Sequence, residues 1–525
     1  MYLDNVSQQG QAGGFPSGTP DSLQLLNGGA VPLQAVPQLS FSHFSHWLVN
    51  TVRNGGRVIS FFALPASCFT PSEKDGEHTH RLIAILASDT SGKLHAATAG
   101  VSGRYTSFAK HTPQMHLFER EIYEKHGITP EGHPWLKPVR FEKTGGPEIG
   151  DTDFFHIYGD DIHEVSVGPI HAGVIECGHF RFQCLGEKVL HLEISLGYHH
   201  RGMESLLRNG PYPRTLALME TIAGDSTIAH TWAYCTNMEA LADAAPSPRG
   251  QLVRALALEL ERLANHTGDM GALAGDIGFL PTLSYCGRLR GDWLNMSAMI
   301  CGSRFGRGLL VPGGVLHDLN HSLVLRLKER MTLTGKDVMG ALKLMWDSSS
   351  VAARLSAVGS VSVETALRLG MVGVAARASG LKRDARHSLP LPDLPTPPDL
   401  CVASAGDVYS RAKVRHDEIA ASVAFCQRLL TDFLDEDGED AVCAESPAIP
   451  TLMPEYLAVS LVEGWRGEVC HVGITDDSGR LAAYTIADPS FHNWMGLAMA
   501  LRGQQISDFP LCNKSFNLSY CGHDL

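Results

Sequence analysis

Twelve cysteines are spread over 525 residues so widely that no two lie within six positions of each other. That spacing excludes every fold stapled by a local sulfur chelate. A zinc ribbon, a ferredoxin-type cluster and a thioredoxin-like dithiol each need a CxxC pair, and none is present. The chain must therefore hold itself together with apolar cores, and at this length it can bury about two to four of them. With 44% hydrophobic and 19% charged residues it has an ordinary globular composition. Its first residues carry no basic start followed by an apolar stretch, and no run of about 18 apolar residues follows. Neither a secretory signal nor a membrane-spanning helix is expected, and reduced thiols in the cytoplasm are. The net charge of −13 lacks the basic footprint of a nucleic-acid binder, so no such partner is expected.

Local patterning divides the chain. Residues 1–30 are rich in Gly, Gln, Ser and Pro and read as a disordered leader. In residues 31–145 the runs Arg57–Leu64 and Arg81–Ala87 have the β-branched and aromatic content of buried strands. The charged stretch Phe118–His126 reads as a helix closed by Gly127. Together these predict a small α/β unit, followed by a Gly-rich linker at Glu142–Gly150. From 151 to 525, strands around Gly178–Val189 flank a tight Gly186-Glu187 turn, and long helices follow. Leu252, Leu256, Leu260 and Leu263 fall on one face of a helix over Gln251–Thr267, with Arg254, Glu261 and Arg262 mostly off that stripe. A second helix spans Asp407–Phe433, with Val408, Ala412, Ile419, Val423 and Cys426 as its apolar positions. A Pro-rich break at Leu389–Leu400 and an acidic loop at Asp432–Asp440 punctuate this half. The fold class expected is α+β: a small N-terminal α/β domain, then a mainly helical domain with a small β-sheet.

Several blocks carry a resemblance. They are Phe118–Pro134 (FEREIYEKHGITPEGHP), Val167–Phe182 (VGPIHAGVIECGHFRF), Leu196–Glu204 (LGYHHRGME), Glu259–His266 (ELERLANH), Ser303–Gly314 (SRFGRGLLVPGG), Asp407–Arg415 (DVYSRAKVR), Glu463–Glu468 (EGWRGE) and Asp488–Leu525. In that order the chain resembles the large subunit of membrane-bound, energy-converting [NiFe] hydrogenases. It is equally similar to the quinone-pocket subunit of respiratory complex I, with the smaller complex I partner domain fused upstream.

The resemblance breaks at the metal. The family holds nickel and iron by four thiolates from two CxxC pairs, because nickel there needs soft, electron-rich donors. The stretch matching RxCGxCxxxH is Thr221–His230, with Ala223 and Ser226 at the cysteine positions; the stretch matching DPCxxC is Asn517–Gly522, with Ser519 and Gly522 there. Cys521 stands one position early, and one thiol cannot replace four. The chain is expected to bind no metal and no cofactor of its own.

Other matches survive as candidate site residues. Arg466 matches the arginine that approaches the metal site; unligated, it is expected to pair with Glu463 or Glu468. Asp276, ten residues after His266, matches a complex I carboxylate that relays protons. His171 matches an early family histidine. The quinone-contacting histidine falls on Ile175, with His179 four residues later, and the quinone-contacting tyrosine falls on Gly224. Arg304 and Arg307 flank Gly306 in a loop able to meet a partner or ligand. His199 and His200 point apart, as neighbours do, and read as structural, with Arg201 and Glu204 able to pair.

What the resemblance implies is a redox-coupled subunit on the inner face of the cell membrane. It would sit beside an iron–sulfur small subunit that carries the cluster, and above antiporter-like membrane subunits, with a quinone or other small redox molecule as acceptor or donor. No dinucleotide fingerprint is present, so any NAD reaction would belong to a partner. The alternatives are an assembly scaffold without chemistry, and a metalloenzyme using His230, His523 and Asp524. An open cavity among Ala223, Ser226, Ser519 and Gly522 would favour the redox subunit; one packed shut by Trp494, Phe516 or Tyr520 would favour the scaffold.

Overall fold

A computed structural model describes residues 22–69, 78–142, 147–171, 175–435 and 451–525. The apolar runs read from the sequence are strands: Arg57–Pro65 and His80–Ser88 pair antiparallel, and Lys93–Val101 continues the sheet. Nearly every residue of these strands is buried, because the helices Phe41–Arg53 and His116–His126 cover one face and the rest of the protein covers the other. The second of those helices stops where expected. Gly127 takes φ +66° and its N–H closes on the Tyr123 carbonyl, a left-handed cap that suits glycine.

The structured chain begins earlier than the composition implied. Within the expected leader, Leu23–Leu25 pairs with Lys93–Val101, and Gly29–Pro32 pairs with Tyr456–Glu463, more than 400 residues away in sequence. Only three or four residues make each strand, too few to show as a pattern. The acidic loop lies outside the described residues beyond Asp435, and so do residues 143–146 of the linker.

Among the described residues, a second sheet orders Leu481–Ala487, Glu468–Thr475, Tyr456–Glu463 and Gly29–Pro32, with the helix Thr227–Leu241 lying across it. A third sheet, Ile162–Val167, His179–Leu185 and Lys188–Ser195, holds the expected turn at Gly186-Glu187. The helical core packs Pro248–Asp276, Leu280–Cys301, His321–Trp346 and Val408–Asp435 side by side. Both helices read from the sequence are present and longer than predicted. No helix among the described residues is long and apolar enough to cross a membrane.

The Pro248–Asp276 helix is buried on nearly all sides, so its charged residues are inside rather than off the apolar face. Arg254 donates to Glu239 at 2.6 Å, and Arg262 to Glu259 at 3.1 Å. Arg377 reaches both Glu418 and Glu463 at 2.6 Å. The same device joins the two sheets. Arg57, on the first, donates twice to Glu468, on the second, at 2.6 Å, and also to Asp89 at 3.0 Å. Burial opposes the Arg57 charge, but Asp89 and Glu468 more than offset it and hold the guanidinium firmly protonated.

Removing one partner of a buried pair strands the other without water. Arg57→Leu should therefore cost about 3–5 kcal/mol, read as a lowered urea midpoint; an unchanged midpoint would show that the two sheets do not depend on this contact.

Candidate functional site

Two backbone segments carry the four positions that match the family's metal ligands. Ala223 and Ser226 precede the Thr227–Leu241 helix, and Ser519 caps the short helix Tyr520–Asp524, its Oγ accepting from the Gly522 N–H at 2.9 Å. Arg466 bridges the two segments, meeting Ser226 and the Asn517 carbonyl, and Asp488 packs on Gly522. A Cβ on Gly522 would lie 2.6 Å from Asp488 Oδ2. The glycine is required there because a carboxylate occupies the room a side chain would need. Arg466 Nη1 lies 3.4 Å from Ser226 Oγ. The side chains that stand against Gly522 and Ser226 are thus those of Asp488 and Arg466.

The donor set does not fit a nickel–iron centre. A methyl group, two hydroxyls and a hydrogen stand where four thiolates are needed. Cys521 does not compensate, since its Sγ lies 3.3 Å from Ser519 Oγ and burial pushes its thiol up to about 12.

Arg466 does not pair with Glu463 or Glu468, which are taken by Arg377 and Arg57. It forks instead onto Asp225, with Nη2 2.7 Å from Oδ2, and its Nε donates to the Asn517 carbonyl at 2.6 Å. Asn517 Nδ2 reaches Asp269 at 2.6 Å, and Asp269 accepts from Arg415 at 2.8 Å. Asp488 begins a second buried chain. Its Oδ2 lies 3.1 Å from His230 Nε2, His230 Nδ1 lies 3.1 Å from His471 Nε2, and His471 Nδ1 lies 3.0 Å from the Tyr484 hydroxyl. Burial raises the Asp488 pKa, but His230 and Arg466 overcome it and hold the carboxyl below its ordinary range. Burial, then His230, depresses His471 strongly, so it stays neutral.

The proposed His230, His523 and Asp524 set does not converge. His230 is engaged as described, while Asp524 accepts from the Gly197 and His199 N–H groups at 2.9 Å. His199 and His200 are structural: His200 Nδ1 meets the Asp524 carbonyl at 2.8 Å, and His199 Nε2 accepts from Cys177 N–H at 2.7 Å. Arg201 donates to the Thr221 and Ile222 carbonyls rather than to Glu204, which binds Lys125.

Beside this floor lies an open apolar cavity of about 540 Å³, between the Ile162–Val167 strand and the segment Ile506–Tyr520. His171, Ile175, Phe509 and Tyr520 line it. Tyr520 follows Ser519 directly, so the cavity adjoins the former metal position. Neither ring nitrogen of His171 has a hydrogen-bond partner. Burial pushes the Tyr520 phenol up to about 12, which keeps it neutral. Of the predicted residues, His171 lines this cavity and Arg466 stands against Ser226. His179 packs against Phe154 with its ring 5.0 Å away, and burial and then Arg181 lower its pKa. Asp276 is exposed at the end of its helix, with burial of its carboxyl raising the pKa against Lys514. Neither lines the cavity.

Sequence reasoning missed Asp225, Asp488 and Glu261. Asp488 carried a signal, since Asp-Pro-Ser is a helix start, and its Oδ1 accepts from the Ser490 N–H at 2.8 Å. Glu261 edges a cavity of about 20 Å³, room for a single water, with Asp225 and Arg304. Its Oε2 accepts from the Ile228 N–H at 2.7 Å, its Oε1 has no partner, and burial with the Asp225 charge raises it to about 8.

Comparison with known proteins places this geometry among relatives. Residues 276–524 match the family described as respiratory-chain NADH dehydrogenase, 49 Kd subunit. The chain is 28% identical to formate hydrogenlyase subunit 5 of Escherichia coli over 440 residues, 79% of this chain and 76% of that one. It is 27% identical over 374 residues to NADH-quinone oxidoreductase subunit 4 of Thermus thermophilus, covering 66% of this chain and 90% of that one. In fold it is similar to a chain of the membrane-bound sulfane sulfur reductase, an archaeal respiratory membrane complex. The TM-score is 0.63 at 21% identity, over 70% of this chain and all of that one.

Two measurements test the site. Gly522→Ala should cost about 1–3 kcal/mol by overpacking, and much less in an Asp488→Gly background; equal costs in both would show that the carboxylate does not fill this space. Glu261 has an ordinary pKa of 4.5 that folding raises to about 8. The folded chain thus keeps a proton the unfolded chain releases, so this stability is complete below about pH 4.5 and lost as pH rises through about 8. Urea midpoints of the wild type should fall more steeply across that window than those of Glu261→Gln.

Proposed function

We propose, from the similarity to the 49 Kd subunit family and to formate hydrogenlyase subunit 5, that this chain is a peripheral subunit of a membrane-bound redox complex. That complex couples electron transfer to ion translocation, and this subunit has no nickel–iron site of its own. The observation that carries the reading is an open cavity next to the positions that match the metal ligands. Asp488 and Arg466 stand against Gly522 and Ser226, while the 540 Å³ cavity offers apolar walls beside His171 and Tyr520. Such a cavity suits a small, largely apolar redox molecule such as a quinone.

In this reading the molecule packs on the apolar walls beside His171 and the neutral Tyr520. Electrons come from an iron–sulfur cluster in a neighbouring small subunit. Asp276, exposed with its pKa raised by burial of the carboxyl against Lys514, meets the ion-translocating side of the assembly. The complex lies on the inner face of the membrane, held by antiporter-like subunits.

One observation favours a second reading, an assembly scaffold: the polar groups of the old site satisfy one another. The two separate cleanly. In the purified complex, Ile175→Trp should block the cavity and reduce acceptor turnover at least tenfold with assembly intact, and His171→Ala should slow it. Asp276→Asn should abolish coupled ion transport while leaving assembly unchanged. Wild-type turnover in Ile175→Trp would leave only the scaffold, and nickel bound to this polypeptide would overturn both.

A further inference from the structure

The cavity bounded by the Ile162–Val167 strand and the segment Ile506–Tyr520 carries charge of one sign. Val165, Val167, Ile175, Ile506, Phe509 and Pro510 give it apolar walls, and no lysine or arginine is among the described residues that line it. Glu187 is the one carboxylate in the lining. It stands exposed in the Gly186-Glu187 turn, held against that wall by the Ile506 N–H, which donates to the Glu187 carbonyl at 2.8 Å. Lys188 follows it but is not part of the lining, and its Cε lies 3.9 Å from the place a Cβ on Gly503 would take.

A second carboxylate stands behind Tyr520. Glu176 Oε2 accepts from the Tyr520 N–H at 3.2 Å and from the Cys521 N–H at 3.3 Å. Its charge is felt there: burial raises the Tyr520 phenol and the Cys521 thiol, and Glu176 adds to both. No ion pair among the described residues engages Glu187 or Glu176. An anion entering this space gives up water to apolar walls, finds no cation to pair with, and is repelled by two carboxylates. At physiological salt that repulsion acts over about 8 Å, so it reaches the lining whichever way the exposed Glu187 side chain turns. A neutral molecule meets none of these penalties, and a cation is drawn by both carboxylates.

We propose that this cavity, if it is the acceptor site as read above, admits uncharged or cationic redox molecules and excludes anionic ones, with Glu187 at its rim and Glu176 behind Tyr520 setting the selection. The walls set the apolar body of the guest, and the two carboxylates set its charge. A plain quinone satisfies both conditions. The same ring bearing a sulfonate fails the second, and so does a nucleotide, whose phosphates would bring negative charge to the rim.

The test is equilibrium dialysis of the purified complex against 2,3-dimethyl-1,4-naphthoquinone and its anionic counterpart 2-methyl-1,4-naphthoquinone-3-sulfonate, counting only binding that Ile175→Trp removes. The neutral quinone should bind at least about tenfold more tightly than the sulfonate. Glu187→Lys should narrow that ratio about threefold by strengthening the sulfonate. Glu176→Gln, which keeps an oxygen for the Tyr520 and Cys521 N–H groups, should narrow it in the same direction. Glu187→Gln at the exposed turn serves in place of the lysine variant if that one does not assemble. Equal affinities of the two quinones for the wild type, or a ratio that neither position moves, overturns the selection and leaves the cavity as an acceptor site. Absence of any neutral-quinone binding sensitive to Ile175→Trp overturns the acceptor site itself, and the selection with it.

Discussion

An arginine sealed from water must find a carboxylate, and much of this structure is arranged to meet that demand. Arg254, Arg262, Arg377 and Arg415 are each essentially without exposure, and each meets an acid from another segment or another turn. Arg57 does the same between two sheets built from opposite ends of the chain. Because one missing partner would leave a bare buried charge, these contacts fix relative positions more strictly than apolar packing can. They also explain why the central helix Pro248–Asp276 carries charge on a surface that never meets solvent.

The old metal site obeys the same rule. Arg466 is buried there, and Asp225 answers it. Asp488 takes the room that a side chain at Gly522 would need, and is itself held by His230. The residues make a consistent set: Gly522 admits the Asp488 carboxylate and Asp225 holds Arg466. The floor is a built structure with its own hydrogen-bond chains, which run to Arg415 on one side and to Tyr484 on the other.

Local structure was legible wherever a single segment carried its own reason. The two apolar runs became strands, the helix before Gly127 ended at its glycine, and the leucine-rich stretch became a helix. The four positions that match the family's metal ligands could be read from the resemblance. Partnership could not. Arg466 had plausible acids two and three residues away, yet binds one 241 residues distant, because the strand Glu468–Thr475 turns Glu468 toward Arg57. The strands Leu23–Leu25 and Gly29–Pro32 were invisible for a related reason. Their order comes from pairing with distant strands rather than from their own composition.

His171 illustrates how far a motif reaches and where geometry takes over. Motif matching singled out His171, Ile175 and His179 within one loop and could not rank them. The strand His179–Leu185 decides, since it begins at His179 and carries that ring toward Phe154, whereas His171 and Ile175 stay in the loop and face the cavity with Tyr520. Both rings pack on an aromatic neighbour, His171 on Phe180 at 5.7 Å and His179 on Phe154 at 5.0 Å, so lining of the cavity is what separates them. A second contrast separates the floor from the cavity: the polar groups of the floor satisfy one another, whereas the His171 ring nitrogens and the Tyr520 hydroxyl, beside the cavity, are buried without a partner.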